Sequence, residues 1–89
     1  MKDSKKIYQE FISACAIGVS LEHNGYKGGD SGHGGFVKIE IENLTCTDMS
    51  LNGRETEKFE LLFSGDCERD VLISALKMIV KELENNPSI

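Results

Sequence analysis

Apolar residues return along this chain at two different intervals, and the change of interval marks its elements. Ile7, Tyr8, Phe11, Ile12 and Cys15 recur at spacings of three and four, the interval of one buried helix face, with Lys5, Lys6, Gln9 and Glu10 on the other side. Asp3 or Ser4 stands where a helix cap belongs. Cys15, Ile17, Val19, Leu21 and His23 then alternate with small or polar residues, and Gly18 disfavours further helix. The spacing predicts a helix ending near Ala16 and a strand starting at about Ile17.

Further on, Val37, Ile39 and Ile41 alternate with Phe36, Lys38, Glu40 and Glu42, a strand with one apolar face. Asn52-Gly53 is the dipeptide of a two-residue hairpin turn, because a type I′ turn needs positive φ at both positions. With that turn, Leu51 faces Arg54, Cys46 faces Phe59 and Leu44 faces Leu61. Continued unbroken, the register would set Glu42 against Phe63, so a bulge or break is expected near Asn43, returning Ile41 to the place opposite Phe63.

A last strand, Lys58 to Ser64, turns Phe59, Leu61 and Phe63 inward and ends at Gly65. Asp66 then caps a second helix, with Glu68 and Asp70 in its first turn. A broad stripe of Val71, Leu72, Ala75, Leu76, Ile79, Val80 and Leu83 follows, and Asn85, Asn86 and Pro87 stop it. The sum is an α+β domain of order α-β-β-β-α, a three-stranded antiparallel meander with two helices on one face. The other face should carry Phe36, Lys38, Glu40, Glu42, Lys58, Glu60 and Leu62.

Residues 24–35, NGYKGGDSGHGG, fit neither interval and hold six of the nine glycines. Hairpin loops usually run about two to five residues, so twelve are an anomaly. Tyr26 is the residue in it that a flexible connector needs least. It acts either as a rigid aromatic anchor for a partner or as the side chain that packs the loop onto its own domain.

With 89 residues the chain has room for one domain, 1–89. Its N-terminus lacks the apolar core of a secretory signal, and no segment is apolar for long enough to span a membrane, so a cytoplasmic protein with no membrane role is expected. Cys15, Cys46 and Cys67 are odd in number and have no paired spacing, which suits reduced thiols buried as small hydrophobes. The net charge of −5 is concentrated: residues 40–70 hold nine acids against Arg54, Lys58 and Arg69. That distribution opposes direct nucleic-acid binding, which needs clustered Lys and Arg, and suits docking on a basic protein surface.

Candidate chemistry is sparse. Gly29-Asp30-Ser31-Gly32 resembles the sequence around the nucleophile of chymotrypsin-like serine proteases, but that family needs two β-barrels to assemble its triad, and His33 replaces its next glycine. Backbone N–H groups of a glycine-rich turn can form an anion nest, with Lys27, Gly28, Gly29, Ser31 and His33 as its ligand-binding residues. No Lys-Ser/Thr pair follows as in a P-loop. No metal-ligand spacing and no cofactor motif is present.

These features point to a small non-enzymatic interaction protein, a regulator or inhibitor of a larger partner, with a homodimer as a further option. It resembles, in style and in no motif, small acidic proteins of phages and mobile elements that block host machinery. Tyr26, Asp30, Glu40, Glu42 and Glu60 are the expected partner contacts. The alternatives are a binder of a nucleotide or other phosphorylated ligand through the loop and, with least support, a small hydrolase using His33 with Asp30.

Overall fold

The computed structural model describes residues 4–29 and 33–86. Strands β1 (Lys5–Ile12), β2 (Ala16–His23), β3 (Phe36–Thr45) and β6 (Lys58–Ser64) form an antiparallel sheet in the order β1-β2-β3-β6. A two-stranded hairpin, β4 (Ser50–Leu51) and β5 (Arg54–Glu55), stands apart from it, and the helix α1 (Asp66–Asn85) ends the described chain. The architecture is α+β as expected, with four strands in the main sheet and one helix among the described residues, where three strands and two helices were expected. The expected cap at Asp3 and stop at Pro87 lie outside the described residues.

The first expected helix is β1. Ile7, Tyr8, Phe11 and Ile12 are β-branched or aromatic, the types that lose side-chain freedom in a helix and pack well on a pleated surface. A tight turn closed by the Ser13 N–H to the Cys15 carbonyl, 2.7 Å, folds β1 back on β2. There Ile7 pairs with Leu21 and Phe11 with Ile17 across the strands. Cross-strand apolar pairs are available only to the strand form, and they decide between two readings of one pattern.

Alternation then sorts the sheet into two faces. The inner face carries Ile7 and Phe11 of β1, Val19 and Leu21 of β2, Val37, Ile39 and Ile41 of β3, and Phe59, Leu61 and Phe63 of β6. On the outer face Lys38 meets Leu62, Glu40 meets Glu60 and Glu42 meets Lys58. Also on that side, Tyr8 lies across Gly18. A Cβ at Gly18 would come within 2.5 Å of the Tyr8 hydroxyl, so an aromatic ring covers the gap a glycine leaves in the sheet.

The hairpin turn forms as expected, with Leu51 opposite Arg54 and positive φ at Asn52 (54°) and Gly53 (82°). The register beyond it does not follow. Ile41 faces Phe59 and Ile39 faces Leu61, so Cys46 and Leu44 are not their partners and Ile41 is not opposite Phe63. The expected ladder assumed one long hairpin through Asn52-Gly53. Instead β4 and β5 form a side hairpin whose base is closed by the Asn43 N–H to the Glu57 carbonyl, 2.7 Å. The Asn43 side chain also donates to the Thr47 carbonyl at 2.7 Å. An irregularity does occur here, on the other edge of β3: Ile17 pairs with Asn43 but Ala16 with Thr45, which leaves Leu44 as the extra residue.

α1 lies over β3 and β6. Of its broad stripe only Leu72 is buried, at 8% exposure, and every helical residue from Ile73 onward is exposed. Among the described residues the buried apolar ones are Ala16, Val37 and Leu72. Cys15, Cys46 and Cys67 are exposed, contrary to the expectation of buried thiols, because they fall in turns and on the open side of the helix's first turn. Among the described residues no helix is long and apolar enough to cross a membrane.

Candidate functional site

The glycine-rich segment joins β2 to β3 and is stitched to the start of α1. Its two legs touch at the base: a Cβ on Gly35 would run into the Gly25 carbonyl oxygen, and one on Gly34, at φ 90°, would lie 2.6 Å from the Gly29 nitrogen. Glycine is required there because backbone meets backbone. The Asn24 side-chain oxygen accepts the Phe36 N–H at 2.7 Å, which fixes the loop's exit into β3.

Asp66 occupies the concave side. Its Oδ1 accepts the Lys27 N–H at 3.0 Å and the Gly35 N–H at 3.4 Å, and its Oδ2 accepts the Gly28 N–H at 2.6 Å. Two backbone bonds complete the seam, Asp66 N–H to the Gly29 carbonyl at 2.6 Å and Gly65 N–H to the Gly35 carbonyl at 2.7 Å. The loop does form an anion nest, and the anion in it is the protein's own carboxylate. The Lys27 N–H is the main reason the Asp66 pKa falls below the usual aspartate value, with Gly28, Gly35 and Gly29 adding to it against an opposing desolvation. Asp66 was expected as a helix cap. It is instead the first helical residue, with Gly65 at the cap position (φ 123°) and no side-chain cap bond.

One turn further along, Tyr26 reaches the same helix. Its hydroxyl donates to Asp70 Oδ1 at 2.6 Å, and the Arg69 guanidinium sits 4.4 Å from its ring centroid, a cation–π contact. The bond to Asp70 raises the Tyr26 pKa above its ordinary value, since ionisation would set a phenolate against a carboxylate. Arg69 Nη1 lies 3.3 Å from His23 Nδ1, and among the described residues Arg69 Nε has no partner. His23 and Arg69 close one end of an apolar cavity of about 430 Å³ between the inner sheet face and α1, lined by Val19 and Leu21 on β2 and by Leu72, Ile73 and Leu76 on the helix.

The expected partner contacts are divided by the fold. Glu40, Glu42 and Glu60 share the outer face, whereas Tyr26 belongs to the helix side and Asp30 lies outside the described residues. Of the expected ligand-binding residues, Lys27, Gly28 and Gly29 do converge, on Asp66; His33 is exposed and Ser31 lies outside the described residues. Among the described residues no group of three or more His, Cys, Asp or Glu side chains is placed to hold a metal ion. The residues that sequence reasoning missed are Asp66, Arg69 and Asp70, which it took for a cap, a base within the acidic stretch and a charge of the helix's first turn. The signal was there: a nest needs an anion, and Gly65-Asp66 follows the strand that pairs with the loop's exit. Compared with protein-family models, curated proteins and solved structures, the chain matches none.

Proposed function

We propose that this chain is a non-enzymatic interaction protein, a small regulator or inhibitor that docks on a basic surface of a larger partner through the outer face of β3 and β6. One observation carries the reading. Glu40 stands directly opposite Glu60, with Glu42 next along β3 on the same face. Like charges set opposite each other destabilise a sheet by a few tenths of a kcal/mol, so the pair is a cost to folding that a basic partner relieves. Lys58 offsets part of it, at 3.4 Å from Glu40, while Lys38 is turned to Glu22 at 3.6 Å.

The rival reading, a phosphorylated ligand in the loop, loses its donors, because the N–H groups that would bind phosphate already bind Asp66. A nucleotide panel should therefore leave the melting temperature unchanged. An upward shift with any of them would revive that reading, since a ligand at 100 times its Kd adds about 2.7 kcal/mol of stability.

The experiment is capture from an extract of the native host with the tagged chain as bait. The protein captured should carry a basic surface, leave at high salt, and be lost with a Glu40→Lys/Glu42→Lys double variant while Tyr26→Ala keeps it. Retention of the same protein by the double variant would refute the outer face as the docking site.

A further inference from the structure

The inner side of the molecule is unfinished. A helix is about 10 Å across and strands are spaced about 4.8 Å apart, so one helix covers roughly two strands of a four-stranded sheet. α1 takes β3 and β6, and the cavity of about 430 Å³ separates it from β2. On β1, Ile7 and Phe11 point to the same inner face and remain 42% and 47% exposed. The helix has the converse defect: its apolar stripe runs past the sheet contact at Leu72, through Leu76, Ile79 and Val80, to Leu83 at 70% exposure.

The surface area gives the scale of what is missing. A folded monomer of 9.8 kDa exposes about 5,200 Å², and this chain exposes 6709 Å². The surplus of about 1,500 Å² per chain, doubled, falls among the areas buried by obligate homodimers. The radius of gyration tells the same story, at 15.0 Å against about 12 Å for a compact domain of this length.

From this we infer that the inner face is an interface with a second copy of the same chain, in which the C-terminal half of each α1 covers the β1–β2 half of the partner's sheet. The chain has half a sheet without a helix and half a helix without a sheet. A two-fold axis satisfies both deficits at once, the self-complementarity that an isologous interface demands. A lipid surface fits less well, because the net charge of −5 is repelled by anionic headgroups. The interface lies on the opposite side of the sheet from Glu40, Glu42 and Glu60, so the inference is independent of the docking proposed for the outer face.

Sedimentation equilibrium of the full chain, from about 1 to about 100 µM, tests it, together with the melting temperature over the same range. The expected mass is twice 9.8 kDa, with a melting temperature that rises with concentration. Leu83→Glu, at a position 70% exposed in the single chain, should weaken association about tenfold or more by placing a charge in an apolar interface. Leu62→Glu, on the outer face, should leave the mass unchanged. A folded 9.8 kDa species across the range with a concentration-independent melting temperature would overturn the inference, as would Leu83→Glu associating as tightly as the parent. Monomers that bind anionic vesicles through this face would overturn it too, in favour of a lipid occupant.

Discussion

The two ends of α1 are held by different physics. At its start, a carboxylate accepts loop N–H groups, two backbone bonds seam Gly65 and Asp66 to the loop, and Tyr26 clasps Asp70 and Arg69. Past Leu72 every described residue is exposed. Hydrogen bonds set the helix's position and direction at one end, while the apolar stripe that should drive its packing stays open at the other. Polar geometry places this element, and burial against another surface is what remains to stabilise it.

The largest effect is expected where the two ends of the helix meet. Leu72 is the helical residue that reaches the core, so Leu72→Ala should lower stability by about 2–3 kcal/mol, read by urea unfolding. Gly35→Ala should follow at about 1–3 kcal/mol, since the added methyl meets the Gly25 carbonyl and wedges the loop's legs apart. Ile73→Ala, on a half-open site of the same helix, should cost clearly less than Leu72→Ala. Equal effects at these two positions would mean that the open end is not open.

Asp66→Asn sharpens the latch itself. The folded pKa of Asp66 lies below the 3.8 of a free aspartate, so its contribution is complete above that value and is lost as pH falls through the folded value. Acid unfolding of the parent should carry this component between those two points, and Asp66→Asn should lack it while being less stable at neutral pH. The smallest effect belongs to Tyr26→Phe, which keeps the ring under Arg69 and removes the bond to Asp70. Tyrosine absorbance should show the parent ionising above pH 10, because Tyr8 and Tyr26 both donate to carboxylates, and the variant should retain only the Tyr8 transition.

Strands with a single reading were legible in the sequence. The alternation of Val37, Ile39 and Ile41 and of Phe59, Leu61 and Phe63 was clear, as were the Asn52-Gly53 turn and the helix after Gly65. The segment from Lys5 to Ile12 was not, because Ile7, Tyr8, Phe11 and Ile12 fit a helix stripe about as well as a strand. What settles it is pairing with β2, a non-local partner that periodicity cannot see. The same holds for the register of β3 on β6, which depends on a side hairpin budding from the connection. The acidic outer face was readable from alternation alone. The latch was legible only in part, as a nest without its anion, because it joins residues some forty positions apart through backbone N–H groups that carry no residue identity.

The most direct test of the account is hydrogen exchange resolved along α1 and the loop, comparing the parent with Leu83→Glu. The amides of 27–29 and 66–72 should keep their protection in the variant, held by the latch within one chain, while those of 73–86 should exchange faster once the second copy is gone. Equal loss in both segments, or no loss in either, would contradict it.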